Sequence, residues 1–190
     1  MRIRTMRLAA AAACLVLAAA TPARAAGYIT PFWGFNFGGD SANCISLTNC
    51  EEKRTNLGVS FGSTGALFGF EADFGYAKDF FGKAPGADTS VLTFTTNLTV
   101  TLPLGPVRPY LLGGIGLIRP HASLSLSQLS LDKNAFGYDI GGGVNVLATR
   151  HLGVRGDLRR FRTLQDVTLF VFTGDKLEFW RGSVGLVLQF

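Results

Sequence analysis

Histidine and cysteine are scarce in this chain, with two of the former and three of the latter among 190 residues. No histidine pair lies near a cysteine, which argues against a metal site of mixed nitrogen and sulfur ligands. Phosphate-cradling motifs are also missing. The glycines at 113, 114, 116 and 141–143 have neither a P-loop lysine nor dinucleotide spacing, and they read as small positions in a crowded interior or at bends. No cofactor is expected. Nor does a polar tail close the sequence, which ends GSVGLVLQF with Val184, Leu186, Leu188 and Phe190 on one alternating face. That is a strand whose apolar side needs a cover.

The start of the chain indicates where the cover comes from. MRIRTMRLAAAAACLVLAAATPARA has a basic beginning at Arg2, Arg4 and Arg7, an apolar stretch from Leu8 to Ala20, and small residues at Ala23 and Ala25. This is the pattern of a secretory signal peptide cleaved near Ala25, and the apolar stretch is short for a spanning helix. Cys14 falls too early for a lipoprotein site and is expected to leave with the leader. Residues 1–25 are therefore read as a signal peptide and 26–190 as one mature domain. Four of the 18 basic residues (Arg2, Arg4, Arg7 and Arg24) go with the leader, leaving 14 against 13 acidic and a net charge of +1. The apparent basicity belongs to export, so no nucleic-acid partner is expected. Cys44 and Cys50 remain, six positions apart in GGDSANCISLTNCEEK. In an oxidising compartment they are expected to close a small loop disulfide.

Between the two ends the chain repeats one theme. Alternating runs cover roughly 28–38, 54–63, 66–78, 90–102, 107–119, 133–147, 151–162 and 178–190, eight in all. Short breaks at 63–65, 103–106 and 148–150 alternate with long ones at 39–53, 79–89, 120–132 and 163–177. Short turns at one end and long loops at the other predict an all-β fold, an eight-stranded antiparallel up-and-down barrel.

The faces of the runs decide what surrounds it. In the third run Phe68, Phe70, Phe74 and Tyr76 oppose Gly69, Glu71, Asp73 and Gly75. The seventh sets Leu152, Val154 and Leu158 against Gly153, Arg155, Asp157 and Arg159, and the fourth sets Leu92, Phe94, Leu98 and Val100 against Thr93, Thr95, Asn97, Thr99 and Thr101. An eight-stranded interior has room for modest side chains only, so the small and polar faces are expected inside and the aromatic faces outside. An apolar exterior is tolerable only in a bilayer, which makes this a transmembrane barrel. Trp180 and Phe190 share a face ten residues apart, about 25 Å of height at about 3.3 Å per residue and about 40° of tilt. Trp180, Tyr76 and Tyr138 are placed in the outer aromatic girdle and Phe190 in the inner one.

The segments PFWGFNFGG, FGFEADFGY, VRPYLLGGIGL, FGYDIGGGVNV and GVRGDLRRF, with the terminal phenylalanine, resemble the small outer-membrane β-barrels related to the OmpA transmembrane domain and the opacity-type proteins. The resemblance spans essentially the whole mature chain. It implies the outer membrane of a Gram-negative bacterium, and it implies that Phe190, with Leu188 and Leu186, forms the signal read by the barrel assembly machinery. One departure is Pro31 inside the first run, where a strand end or bulge is expected because proline donates no ladder hydrogen bond.

Chemistry is thin. Glu71 and Asp73 in the third run and Arg155 and Arg159 in the seventh should face each other across the axis, with Asp157 and Arg181 extending the set. Charges in so narrow a space must pair, so a lumen-plugging network is expected, with a partner-exchanging gate at Arg155 or Arg159 as the alternative. Arg160 and Arg162 fall on the lipid side at the outer end, where guanidinium groups suit lipopolysaccharide phosphates or simply snorkel to water. His121 and Ser123 faintly resemble the catalytic pair of lipid A deacylases but lack the surrounding motif and lie at a long loop; His151 reads as a solvated turn residue. The leading expectation is a monomeric, non-enzymatic envelope barrel that contacts outer-membrane lipid and lipopolysaccharide and meets extracellular partners through its loops. A narrow channel for ions or small apolar molecules, or a lipid A-modifying enzyme, are the alternatives.

Overall fold

Period-two alternation makes strands because successive side chains of an extended chain point to opposite faces. The computed structural model describes residues 26–39, 41, 54–81, 87–124, 129–132, 134–165 and 176–190. They form nine strands: β1 (Ala26–Phe37), β2 (Thr55–Thr64), β3 (Phe68–Lys78), β4 (Ala87–Thr101), β5 (Val107–Leu124), β6 (Leu129–Asp132), β7 (Ala135–Leu147), β8 (Leu152–Thr163) and β9 (Glu178–Gln189). Antiparallel pairing runs in the order β4-β3-β2-β1-β9-β8-β7-β5, and β4 pairs with β5 to close the ring. Eight strands form the barrel, and β6 adds only to the outer end of β5. The leader and Cys44 and Cys50 lie outside the described residues.

Three local features differ from the sequence reading. The segments 79–89 and 120–132 are not loops throughout. β4 begins at Ala87 and β5 continues to Leu124, paired from Ala87↔Leu124 to Thr101↔Tyr110, and β6 continues this hairpin beside β5. ADTS is short and mostly polar, and HASL, though it alternates, is too short to stand apart from the long polar-rich segment around it. His121 consequently sits within β5, opposite Ser90 on β4 and Asp132 on β6. Pro31 makes no bulge: the β1–β9 register is the same on both sides of it, Ile29↔Leu188 and Phe32↔Gly185, and the ladder simply skips Thr30 and Pro31. On its other edge Pro31 stays in register with Val59. His151 does more than meet solvent, because its Nδ1 lies 3.0 Å from the carbonyl oxygen of Gln189 and its backbone N–H donates to Thr149 Oγ1.

The outer surface carries a broad apolar belt. Trp33, Phe70, Leu111 and Ile115 are each 60% or more exposed, an arrangement that water would not tolerate and hydrocarbon does. Among the described residues no helix is long and apolar enough to cross a membrane, so any crossing is made by strands. The interior departs from expectation. Small and hydroxyl residues do line the middle, among them Ser60, Thr93, Thr95 and Thr99, but large rings are inside as well. Tyr28, Phe32 and Tyr110 face inward, and at the outer end Phe80, Phe81, Phe161 and Phe179 pack with Ile118 and Leu177 into an apolar plug. Room for large groups comes from glycine on other strands. A Cβ on Gly58 would lie 2.3 Å from the Phe32 ring, and one on Gly75 would lie 2.5 Å from an Arg181 nitrogen.

Candidate functional site

Parity along four strands assembles the site. Glu71 and Asp73 project inward from β3, Asp139 from β7, Arg155, Asp157 and Arg159 from β8, and Arg181 from β9, all of them buried or nearly so. Arg155 grips Glu71 through two nitrogens, at 2.5 and 3.3 Å. Arg159 lies at the centre, 2.8 Å from Glu71, 2.7 Å from Asp157, 3.4 Å from Asp73 and 3.7 Å from Asp139. Arg181 bonds Asp73 at 2.6 Å, its guanidinium sandwiched 4.7 Å from both the Phe32 and the Phe161 ring centroids. A buried charge is tolerable only when paired and hydrogen-bonded, and neutral donors complete the shell. Tyr28 donates to Glu71 at 2.6 Å, Ser60 to Asp73 at 2.7 Å, and Ser183 and Tyr110 to Asp157 at 2.9 and 3.0 Å. Arg155 in turn donates its Nε to Tyr110 at 2.6 Å.

All six lumen charges singled out in the sequence meet in this lattice. Asp139 was missed, although Tyr138 and Ile140 on either side of it face outward and parity alone places it inside. So were Tyr28 and Tyr110, large rings that a small-residue interior does not anticipate. With Asp139 the lattice holds four carboxylates against three guanidinium groups. Neither Asp139 oxygen has a hydrogen-bond partner among the described residues.

Above the lattice the apolar cluster packs between the outer ends of the strands. Phe161 and Phe179 stack at 5.0 Å and 10°, and Phe80 meets Phe179 and Phe81 edge-on at 4.8 and 5.0 Å. Below the lattice a small cavity opens toward the short turns. The barrel is therefore layered along its axis: aromatic, then charged, then open.

On the outer surface Tyr76, Tyr138 and Trp180 lie within three residues of the outer ends of β3, β7 and β9 and point outward, and Phe190 is at the opposite end, 74% exposed, with its ring over Gly27. Arg160 and Arg162 also face out, but they share a partner the sequence reading did not assign. Glu178 lies 2.6 Å from Arg160 and 3.5 Å from Arg162, and the Arg160 guanidinium stands 5.9 Å from the Trp180 ring.

A closed antiparallel ring with an apolar outside and a charged inside is the outer-membrane design, and the family comparison agrees. Residues 8–190 match the model of the outer membrane protein beta-barrel domain. The chain belongs to this outer-membrane β-barrel family. It is accordingly an integral protein of a Gram-negative outer membrane. The family's short turns face the periplasm and its longer loops the outside, which sets the direction of the layers just described. Solved barrels share the fold at low identity. Neisserial surface protein A superposes with a TM-score of 0.66 at 16% identity, over 87% of this chain and 99% of that one. The N-terminal beta-barrel domain of Pseudomonas aeruginosa OprF gives 0.58 at 14%, over 87% and 97%. Ail, the attachment invasion locus protein of Yersinia pestis, gives 0.57 at 11%, over 87% and 99%. No curated protein matches the sequence.

Family membership gives the terminal strand a testable role. Phe190 donates its backbone N–H to Gly27 and packs its ring on β1, so its removal weakens the closing seam and the proposed assembly signal together. Deletion of Phe190 should leave the protein in the periplasm or degraded, read by membrane fractionation and by loss of the heat-modifiable gel band. Normal insertion would count against the signal.

Proposed function

We propose that this protein is a non-enzymatic, monomeric outer-membrane barrel that supports envelope structure and makes its contacts through the four long connections at its outer end. The observation that supports this reading is the layering of the interior: among the described residues a paired charge lattice lies beneath a buried aromatic cluster, an arrangement that suits a closed lumen better than a pore. What remains to act is the belt that meets lipid and the outer rim. Ail, which shares the fold, is named for attachment and invasion and has been crystallised with the heparin analogue sucrose octasulfate, a role of the same kind. The reading is tested by single-channel recording of the refolded protein in planar bilayers, with a lipid A hydrolysis assay alongside. Silent traces and intact lipid A are expected, and steady conductance or deacylation would overturn it.

One observation favours a narrow channel as the second reading. Arg159 reaches four carboxylates within 3.7 Å, so partner exchange needs only small movements. Conduction would also require the Phe161–Phe179 stack to part.

Contact with lipopolysaccharide is proposed for Arg160 and Arg162. Two guanidinium groups flank the carboxylate of Glu178 near the outer rim, and donors of this geometry suit a phosphate as well as a carboxylate. Exchanging both for Gln should lower the lipopolysaccharide that co-purifies with the barrel. Unchanged co-purification would mean that the pair serves only Glu178 and water.

A further inference from the structure

The periplasmic mouth of the barrel is chemically unlike the rest of the lumen. A cavity there is walled by Tyr28, Pro103, Leu147 and Val187 on its apolar side and by Arg108, Asn145 and Gln189 on its polar side. It offers about 50 Å³ to the centres of water-sized occupants, room for a few waters at roughly 10–15 Å³ each or for one small polar group. No carboxylate side chain lines it. Arg108 donates its Nε to the carbonyl oxygen of Gly105 at 3.2 Å, and among the described residues it forms no ion pair. The cavity shares Tyr28, Thr64, Thr101 and Asn145 with a deeper recess of about 10 Å³ that ends at Thr99, Tyr110 and the Glu71–Arg155 pair. Thr99 Oγ1, buried and lining that recess, has no hydrogen-bond partner among the described residues.

We propose that this vestibule is a binding site, entered from the periplasm, for the carboxylate of a small aliphatic acid or peptide terminus. The guanidinium of Arg108 presents paired N–H donors that match a carboxylate. The amides of Asn145 and Gln189 supply neutral donors beside it, and the wall of Tyr28, Leu147 and Val187 suits a short aliphatic stem better than a fully hydrated phosphate. Access is one-sided. The charge lattice and aromatic plug shut the vestibule from the outer face, so the site samples the periplasm alone. The inference does not depend on what the outer loops contact.

Titration of the refolded full-length mature barrel, isotope-labelled in detergent micelles, tests it. The probes are acetate and N-acetylalanine, with inorganic phosphate as the competing anion and constant ionic strength throughout. Saturable amide shifts at Thr101, Arg108 and Asn145 are expected with both carboxylates and not with phosphate. Arg108→Gln should weaken carboxylate binding about tenfold or more, as expected for loss of a bidentate charged contact, while its dispersed spectrum reports that the barrel still folds. Arg150→Gln, on the neighbouring turn and outside the cavity lining, should leave binding unchanged. Non-saturating shifts in the parent, equal saturation by phosphate, or equal loss in Arg108→Gln and Arg150→Gln would each overturn the site, the last two because they mean attraction by charge alone.

Discussion

Exchanging Arg159 for Gln should destabilise the barrel more than any other single change in the lumen. Arg159 is fully buried and is the one cation within reach of Glu71, Asp73, Asp139 and Asp157 together. Three of those carboxylates keep a second guanidinium: Glu71 and Asp157 are 2.5 and 3.2 Å from Arg155, and Asp73 is 2.6 Å from Arg181. Asp139 keeps none. Removing one partner of a buried ion pair costs about 3–5 kcal/mol, chiefly because the other charge stays buried and unmatched. Urea unfolding in lipid vesicles should show a loss of that size for Arg159→Gln. The surface variant Arg160→Gln, which breaks a partly exposed pair, should lose only about 0–1 kcal/mol. Adding Asp139→Asn to Arg159→Gln should recover a large part of the loss, because neighbouring charges are energetically coupled. Asp139→Asn alone should be tolerated, since it leaves three carboxylates for three arginines. Equal losses from Arg159→Gln and Arg160→Gln would show that the lattice is not what holds the lumen together.

The second large effect is expected from the plug. Phe161 and Phe179 are buried and stacked, and Phe161 also covers one face of the Arg181 guanidinium. Truncating a buried phenylalanine costs about 3–5 kcal/mol, part transfer and part cavity. Here the cavity would open directly above a layer of ions. The double variant Phe161→Ala, Phe179→Ala should therefore lose stability and also admit water to Arg181. Flickering conductance should appear where the parent is silent. Phe136→Ala, on the bilayer face, should do neither to a comparable extent. A folded double variant with silent traces would assign closure of the lumen to the charge lattice alone.

Most of the fold was legible in the sequence because a barrel strand has one soft side and one crowded side, and the period of two exposes both. The runs at 66–78 and 151–162 carried this most clearly, with Phe or Leu against Gly, Glu, Asp and Arg. The plug was not legible. Phe80 and Phe81 lie beyond the end of β3, and the general expectation of a small-residue interior made no place for Phe161 or Phe179. Whether a large side chain fits depends on a glycine far away in the chain, as with Arg181 and Gly75, and no local window contains both. Asp139 was legible but unread, since the run FGYDIGGGVNV draws attention to its glycines. β6 was unread although LSLSQLSLD alternates leucine with polar residues, because the whole of 120–132 was read as one loop.

The gap in the β1–β9 ladder has a consequence for how the ring comes apart. A cylinder of strands offers no free end from which to unzip, and its seams would otherwise be similar in strength. Pro31 removes a donor at the one seam that joins the two ends of the chain, and the ladder there skips two successive residues while the seam on the other side of β1 is paired throughout from Ala26 to Phe35. Local opening is easiest where cross-links are fewest, so breathing motions should concentrate between β1 and β9, and hydrogen exchange should find the amides of β9 beside the gap trading with solvent deuterium earlier than their neighbours. The same weak line is where the last strand can be received when the circle is first completed, so one proline marks both the entrance and the exit of the folded state.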